Sequence, residues 1–382
     1  MTLRNSSFVI ATHVYATGPA FRLEEYLQDK VKNLVFIGHP FSFAKSKRSF
    51  LRVYNQGKLI KKEEFVEWQG PEVFFWIKDL VLTLYWVIKY TKKNDYFIGV
   101  DNLNFFAGYI LKIIHKTKKT VFYTIDYIPK RFKNIFLNYL YHFLDRLAVK
   151  NSNRVWNLSS VMISEREKRG VGVAYRDKQI TVPIGTDISK SAKTFDQIDK
   201  QKVVFMGHLR EGQGVELIID AIPEILKKVP AAHVLIIGGG PLEEKLQKYA
   251  KIKKVGKNIE FTGFIKEYSE VEKLLGDAAL AVAPYVDDDS SFTKYTDPGK
   301  PKDYLASGLP VIITKVSQVA FEIEKKKCGM AINYDKNELV AAIIKLLTNK
   351  SLLSEFKTNS LKMAHQYVWD KVFDRAIKET IS

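Results

Sequence analysis

The chain has 382 residues, 46% of them hydrophobic and 13% aromatic, which suffices for two domains and excludes a disordered or collagen-like chain. The formal net charge is +18, and residues 1–190 hold 31 Lys and Arg against 16 Asp and Glu, whereas the remainder holds 29 against 26. A basic half suits an anionic partner such as lipid headgroups or nucleic acid, although lysine used only for solubility is an open alternative. The single cysteine, Cys328, excludes an internal disulfide framework and fits a reducing compartment.

Signals for secretion or membrane insertion are weak. The first 15 residues lack the apolar core and cleavage site of a signal peptide. The most apolar helix candidate, residues 73–90, is interrupted by Lys78 and Asp79, and its longest clean run is too short to cross a bilayer. We therefore expect a cytoplasmic protein, with peripheral attachment at the inner face of the membrane as an option.

The first half begins with a strand, a turn and a helix, which is the opening unit of a doubly wound fold. Residues 7–12 predict a strand, Gly18 lies in the turn, and residues 20–28 predict a helix. A second strand is predicted at residues 31–38. The chain has no GxGxxG pattern here, so a dinucleotide cofactor is not indicated.

Residues 41–70 are predicted to form a basic loop. Lys45, Lys47 and Arg48 lie near its start, and basic residues then alternate with Phe, Leu and Tyr. Such a segment is a candidate for a surface that faces the acceptor or a membrane. A solvated excursion with a few side chains anchored in the core explains the pattern equally well.

Carboxylates follow two predicted strands after a buried helix at residues 73–90. The strand at 96–100 ends at Asp101, and the strand at 120–125 ends at Asp126. Ligands of open parallel sheets bind at the carboxyl ends of the strands, so both residues are placed for chemistry. Either residue alternatively caps the following helix, which is the commoner role.

A second basic and apolar surface is predicted after Asp126. Lys130 and Arg131 precede an aromatic-rich helix at residues 136–147. We predict that this surface faces the acceptor, and a core helix with a basic entry is an equally economical interpretation.

A second series of strands and helices follows a polar linker at residues 188–200. Strands are predicted at 202–206, 232–237, 259–262 and 278–284, and helices at 215–229, 269–275, 338–347 and through 351–382. The loop at 207–214 leads to a helix N-terminus, which presents backbone N–H groups to an anion. The acidic run at 287–289 is expected to face water, and no HxxxH or CxxC spacing occurs, so no metal is predicted.

Residues 295–313 give the most specific signal. Turn-forming residues lead into a short helix near Pro301, which Gly308 and Pro310 end before a buried strand. Lys300 lies beside the helix start, where an ammonium and free N–H groups suit a phosphate, and Asp303 suits sugar hydroxyls. An ordinary loop–helix–strand unit whose Lys and Asp face water has equal weight.

The sequence PGKPKDYLASGLPVI resembles the pattern PxKxxEYMAxGxPVI at the donor site of retaining glycosyltransferases of family 4, which have the GT-B fold. The resemblance implies an α/β protein with two Rossmann-like doubly wound domains facing a central cleft. We expect an acceptor-side domain at 1–187, a nucleotide-sugar-binding domain at 188–365, and a helix at 366–382 that returns to the first domain. Lys300 is then expected to contact phosphate, and Asp303, in place of the family's Glu, to bind ribose. Tyr295 stands where a second Glu is common.

The chain departs from the family pattern in a second donor segment. GHLREGQG at residues 207–214 is similar to the family's GRLxxxKG, but His208 replaces the Arg and Gln213 replaces the Lys. Arg210 is expected to reach the same phosphate. The predicted donor-binding set is completed by Gly18, Gly207 and Gly239, together with Phe264 and Ile265, which the resemblance places beside the nucleobase.

From these features we predict a retaining glycosyltransferase that uses a UDP- or GDP-sugar and a glycan or lipid-linked acceptor. Lys300 and Arg210 would stabilise the charge that develops on the leaving diphosphate. Asp126, in a loop similar to the family's HDxxP motif, and His13 are the candidates for acceptor orientation or proton handling. The donor is a substrate, and no cofactor is predicted.

Other functions stay open. A non-catalytic protein of the same fold, which binds a nucleotide sugar or docks on membranes as a partner subunit, is favoured by the lost Arg, Lys and Glu. A sugar-nucleotide epimerase is a weaker alternative. A nucleic-acid binder ranks lowest, because the sequence contains no recognised nucleic-acid-binding module.

Overall fold

The computed structural model describes residues 3–14, 18–44, 46–67, 70–288 and 291–381. They form two compact units: Met1–Pro183 with Trp369–Ser382, here called unit 1, and Ile184–Val368, here called unit 2. The predicted boundaries at residues 187 and 365 lie within four residues of these limits. Lys45 and Asp289, which belong to the predictions above, lie outside the described residues.

Unit 1 is built on one sheet of eight strands. The strands are β1 (Ser7–Val14), β2 (Asn33–Pro40), β3 (Phe50–Asn55), β4 (Lys58–Glu64), β5 (Asn94–Val100), β6 (Thr117–Thr124), β7 (Arg154–Asn157) and β8 (Gln179–Thr181). Their order is β4-β3-β2-β1-β5-β6-β7-β8. All strands except β3 and β4 pair in parallel with their neighbours in the run β2-β1-β5-β6-β7-β8. The helices are α1 (Pro19–Gln28), α2 (Glu72–Tyr90), α3 (Asp101–Ile113), α4 (Ile135–Asn151) and α5 (Ser160–Lys168).

The segment predicted as a basic loop at residues 41–70 contains a β-hairpin, so that prediction was wrong. β3 pairs antiparallel with β2 and with β4. The two-residue turn consists of Gln56 and Gly57, with φ of 48° and 81°, which suits the right-handed twist of a hairpin. The alternation of basic and apolar residues, taken as loop composition, is the period of a strand with one buried face.

Helix α2 was predicted to be buried, but only one side of it is. Phe75, Leu82 and Trp86 are buried, whereas Ile77 and Val81 are more than half exposed. Lys78 and Asp79, which interrupt the apolar sequence, are buried as an ion pair with 2.6 Å between Nζ and Oδ1. Among the described residues, no helix combines the length and apolar character needed to cross a membrane.

Unit 2 is built on a six-stranded parallel sheet. The strands are β9 (Lys202–Met206), β10 (His233–Ile237), β11 (Ile259–Phe261), β12 (Leu280–Ala283), β13 (Val311–Thr314) and β14 (Gly329–Ile332), in the order β11-β10-β9-β12-β13-β14. The helices are α6 (Val215–Lys228), α7 (Glu243–Ile252), α8 (Tyr268–Gly276), α9 (Phe292–Tyr295), α10 (Lys300–Ala306), α11 (Gln318–Lys325), α12 (Lys336–Thr348) and α13 (Lys350–Ala364). Val203 and Phe205 face one apolar core while Val204 faces the other, so both faces of the sheet are covered.

The last helix, α14 (Trp369–Ile381), belongs to unit 1 although it follows unit 2 in the chain. The Trp156 Nε1–H donates a hydrogen bond of 3.0 Å to Thr380 Oγ1. The Tyr26 hydroxyl donates one of 2.5 Å to Asp374 Oδ1. Phe373 is fully buried, and its ring lies 5.5 Å from that of Tyr26.

We expect Phe373→Ala to lower the free energy of unfolding of unit 1 by about 3–5 kcal/mol, because it leaves a cavity beneath α14. Urea denaturation measures this change. Lys371→Ala, an exposed site on the same helix, is the control and should change it by less than about 0.5 kcal/mol. Equal effects of the two substitutions would show that α14 is not anchored by its apolar side.

Candidate functional site

The strand order of unit 2 reverses between β9 and β12. The chain moves outward from β9 through β10 to β11, and then from β12 through β13 to β14. Ligands of open α/β sheets bind at the carboxyl ends of the strands at such a switch point. Gly207 directly follows β9, and Gly214 packs against the carbonyl of Pro284, one residue after β12. The candidate site of unit 2 is therefore at this edge.

Helix α10 is fixed to the end of β9 by one tyrosine. The fully buried Tyr304 hydroxyl accepts a hydrogen bond of 2.7 Å from Met206 N–H and donates one of 3.2 Å to Met206 O. The loop before α10 is held by a buried ion pair between Lys302 and Asp297. Asp297 also accepts a hydrogen bond of 2.7 Å from Ile184 N–H. These contacts set the position at which α10 begins.

Lys300, the first residue of α10, extends its ammonium toward the end of β9. Its Nζ donates a hydrogen bond to Gln213 Oε1 and lies 5.1 Å from the ring centre of Phe205 and 5.8 Å from that of Tyr285. Burial, and secondarily the charge of Arg210, lowers the pKa of Lys300 to about 7. The structure thus brings together Lys300, Gln213 and Arg210, and burial leaves the Lys300 ammonium poorly hydrated.

Gly207 provides the space for this ammonium. A Cβ atom at residue 207 would overlap Lys300 Nζ, and the φ of 156° is one that side chains rarely adopt. Gly207, Arg210, Gln213 and Lys300 are called the Lys300 cluster below.

Two neighbouring loops surround the Lys300 cluster. His208 is exposed, and its Nδ1 lies 3.0 Å from Gly239 O, so this side chain is directed to the loop after β10. Phe264 is 81% exposed, whereas Ile265 packs against the core of unit 2. Gly239 approaches Phe264 so closely that an added Cβ would lie 3.2 Å from its backbone nitrogen.

Asp303 lies one turn into α10. Its Oδ1 accepts a hydrogen bond of 2.8 Å from Thr186 Oγ1, which occupies one side of the carboxylate. Burial raises the pKa of Asp303 to about 6, although Thr186 and Lys302 oppose that shift. The carboxylate is therefore fully charged only above neutral pH.

Unit 1 has its own polar cluster at the ends of adjacent strands. His13, near the end of β1, has its Nε2 3.3 Å from Asp79 Oδ2 and its Nδ1 2.9 Å from Asn104 Nδ2. An amide nitrogen only donates, so Nδ1 is the acceptor and the ring proton lies on Nε2. Both ring nitrogens are thus engaged. Asp79 also lies 3.2 Å from His39 Nδ1.

Asp101 and Asp126 lie at the ends of β5 and β6. Asp101 has a φ of 64°, a left-handed conformation that is uncommon outside glycine, and its Oδ1 accepts a hydrogen bond of 3.3 Å from Ile125 N–H. Burial and the charge of Asp101 raise the pKa of Asp126 to about 6, against the effect of Arg131, whose Nη1 lies 3.8 Å from Asp126 Oδ2. His13, Asp79, Asp101, Asn104 and Asp126 are called the His13 cluster below.

The remaining predicted residues lie outside these two clusters. Gly18 precedes α1 in unit 1, and apart from its chain neighbours no atom of the described residues lies within 4 Å of a Cβ built on it. Arg48 and Lys130 are exposed, Lys47 is half-buried, and Arg48 Nη1 lies 3.9 Å from Glu64 Oε2.

The residues that hold the clusters in place are not evident from the sequence patterns. Tyr304 and Lys302 position α10, and Asp79 holds His13. Lys78 and Asp79 did carry a signal, because adjacent charges inside an apolar helix pattern indicate a buried pair. Tyr304 carried no such signal, because a tyrosine in a short helix usually packs in the hydrophobic core.

Three comparisons relate this chain to known proteins. Residues 200–349 match the family model for Glycosyl transferases group 1. An uncharacterized glycosyltransferase of Methanocaldococcus jannaschii is 24% identical over 189 residues, 49% of this chain and 45% of the relative. A GDP-mannose-dependent alpha-(1-6)-phosphatidylinositol dimannoside mannosyltransferase of Mycobacterium tuberculosis is 24% identical over 180 residues, 45% of this chain and 44% of the relative. The chain thus spans less than half the length of these curated relatives.

A solved structure covers the whole chain. HepE of Anabaena in complex with UDP-glucose has a TM-score of 0.67 at 12% identity, and the match covers 99% of this chain and 99% of that one. This likeness confirms the predicted GT-B fold with two Rossmann-like domains. The segment that matches the family model, residues 200–349, lies in unit 2 and includes the Lys300 cluster.

Gly207→Ala tests the geometry of the Lys300 cluster. We expect the new methyl group to displace the Lys300 ammonium and to weaken the binding of inorganic pyrophosphate at least tenfold, the effect of losing about 1.4 kcal/mol of charged hydrogen bonding. Isothermal titration calorimetry measures the affinity. Gly170→Ala is the control for backbone strain alone, because it places a side chain at a φ of 85° in unit 1 where no described residue except its chain neighbours comes within 4 Å. Unchanged affinity in Gly207→Ala would contradict the arrangement.

Proposed function

We propose that this protein is a retaining glycosyltransferase of family 4 that transfers a sugar from a nucleoside-diphosphate sugar to a hydroxyl of a glycan or lipid-linked acceptor. The observation that carries the proposal is the partly desolvated ammonium of Lys300 at the switch point of unit 2. The pKa of Lys300 is lowered to about 7, so an anion with at least two charges that binds beside it strongly stabilises the protonated form. A nucleotide diphosphate is such an anion.

The chemistry that this arrangement supports is stabilisation of a leaving group. When the bond from the anomeric carbon to the diphosphate oxygen breaks, the diphosphate gains negative charge. Lys300 and Arg210 stabilise that charge, and their contribution is greatest in a poorly hydrated site. Helix α6, whose N-cap residue is Gly214, adds backbone N–H groups at its N-terminus. Asp303 binds the ribose hydroxyls through the side of its carboxylate that faces away from Thr186.

The identity of the nucleotide is left between UDP and GDP. The neighbour HepE was solved in complex with UDP-glucose, and the mycobacterial relative is named as a GDP-mannose-dependent phosphatidylinositol dimannoside mannosyltransferase. Both names support a nucleotide-sugar donor for this chain. The second supports an acceptor attached to a lipid.

The acceptor is assigned to unit 1 and its His13 cluster. Asp126, with a pKa raised to about 6, accepts a hydrogen bond from an acceptor hydroxyl when ionised. His13, whose ring nitrogens are held by Asp79 and Asn104, is not a free base and contributes to the shape of the acceptor site. Retention without an enzymic nucleophile requires the departing phosphate to take the acceptor proton on the same face of the sugar.

Lys300→Ala tests the function. We expect the wild-type protein to be stabilised in a thermal-shift screen by one nucleotide sugar and to release its nucleotide during transfer or slow hydrolysis. In Lys300→Ala the kcat/KM should fall at least 100-fold, because charge stabilisation in the transition state is lost. Lys315→Ala, an exposed lysine after β13, is the control and should leave activity unchanged.

One outcome would favour the non-catalytic alternative. If the wild type binds a nucleotide but never releases it from any sugar donor, the replacements at His208 and Gln213 have removed catalysis. Binding without turnover would then make this chain a nucleotide-sugar-binding protein, and the transferase proposal would be wrong.

The affinity for the donor should depend on pH. The pKa of free Lys300 is about 7 and rises when the anionic donor binds, so the contribution of Lys300 to the affinity is fully present below pH 7 and falls as pH rises above it, by up to tenfold per unit. Affinity also falls below pH 6, where Asp303 becomes protonated. Calorimetric titration with a nucleotide sugar between pH 5 and 9 measures both limbs.

A matched variant tests the decline in affinity above pH 7. Lys300→Arg keeps the charge over this whole range, so it should flatten the decline above pH 7 while leaving the acidic limb in place. A wild-type profile without a decline above pH 7 would contradict the role of Lys300.

A further inference from the structure

Helix α2 exposes an apolar stripe where a surface helix would carry polar residues. Phe74, Ile77, Val81, Tyr85 and Ile88 follow each other at helical spacing, and each is between 46% and 58% exposed. The opposite side of the helix is buried in the core of unit 1. The helix is therefore apolar on both sides, as is typical of a helix with a further partner.

Helix α4 presents a second exposed apolar surface. Ile135 and Phe136 are 87% and 70% exposed, and Tyr139, Leu140 and Phe143 continue the surface along the helix. All these residues belong to unit 1.

A groove lies between these helices. Its volume is about 270 Å³, and its walls are formed by Ile77 of α2, Leu103 and Phe106 of α3, and Leu144 of α4. Ile77 belongs both to the exposed stripe and to the groove, so the apolar surface of α2 continues into the groove. The size is below that of a typical drug-sized site and suits part of a hydrocarbon chain.

Two polar residues of the groove connect it with the His13 cluster. Asp79 and Asn104 line the groove, and both contact the imidazole of His13. A molecule bound in the groove thus has an apolar end against α2 and α3 and a polar end near the side chains assigned above to the acceptor.

The loop between Asp126 of the His13 cluster and α4 is basic. Exposed Lys130 and Lys133 lie on this loop. This complements a molecule with an anionic head, such as a phosphate or diphosphate, and a hydrocarbon tail.

We propose that the groove of unit 1 binds the hydrocarbon chain of a phosphate-bearing lipid acceptor. This proposal rests on the proposed function, because it names the class of acceptor that the transferase would use. The hydrocarbon chain of the lipid lies between α2, α3 and α4, and the polar end of the lipid reaches the His13 cluster.

Calorimetric titration with monomeric decyl phosphate tests the groove directly, without any sugar donor. Each buried methylene should raise the affinity about fourfold, so decyl phosphate should bind at least 100-fold more tightly than butyl phosphate. Binding should also show a negative heat-capacity change. Equal affinities for the two phosphates would overturn the proposal, because only the head group would then be bound.

Ile77 and Ile88 provide matched variants for locating the chain. They lie on the same exposed stripe, but only Ile77 lines the groove. Ile77→Glu and Ile77→Lys should each weaken decyl phosphate binding at least tenfold, while Ile88→Glu and Ile88→Lys should leave it within twofold. Substitution by Glu and by Lys at the same position distinguishes two effects: loss of the buried hydrocarbon contact weakens binding in both variants, whereas attraction of the phosphate gives them opposite effects. Both positions are about half exposed, so all four variants should fold, as circular dichroism will verify.

Three results would overturn the proposal. Equal losses at residues 77 and 88 would indicate adsorption to a general apolar surface, such as that used for membrane docking. Weaker binding in the Glu variants with stronger binding in the Lys variants would indicate electrostatics alone. Unchanged binding in all four would place the chain elsewhere. Failure of this test leaves the thermal-shift and turnover tests of the donor site untouched, so the two proposals can fail separately.

Discussion

The structure of unit 2 depends on the attachment of one short helix to one strand end. The Tyr304 hydroxyl satisfies both backbone groups of Met206, and the Lys302–Asp297 pair closes the loop before α10. Buried polar groups left without partners cost about 1–3 kcal/mol each, so α10 cannot slide along β9 without losing several such contacts. Because the helix has only seven residues, its position decides where its first residue, Lys300, places its ammonium.

Both clusters hold charges in surroundings that oppose ionisation. Lys300 lies near Arg210 and is poorly hydrated, while Asp126 lies near Asp101 in the same condition. A nearby like charge favours the neutral form, so it lowers the pKa of Lys300 and raises the pKa of Asp126. A ligand of opposite charge, or one with hydroxyl donors, favours the charged form and reverses that shift. Perturbed pKa values of this kind occur often at functional sites and also in structural ion pairs, so they support the site only together with the geometry.

The sequence predicted the strands of both units well where apolar residues formed a continuous run. Buried runs such as residues 96–100 and 202–206 appear as strands, because parallel strands covered on both faces are continuously apolar. The hairpin of β3 and β4 was missed because Leu59 and Ile60 are adjacent among the charged residues of its outer strand, so that strand carries no apolar period. Local patterns likewise could not show that Thr186 bonds to Asp303 across 117 residues, or that Asp79 holds His13. Such contacts depend on tertiary packing.

The outer strand of that hairpin also affects how copies of this protein meet. β4 has the sequence KLIKKEE, with six of its seven residues exposed, and the other border of the sheet, β8, is only three residues long. The lysines and glutamates that flank the exposed Leu59 and Ile60 resist alignment with a second strand, and the three residues of β8 offer too short a ladder for stable pairing. Continuation of the unit 1 sheet into a neighbouring molecule is disfavoured at both borders. Self-association of this protein, where it occurs, is therefore expected through helices.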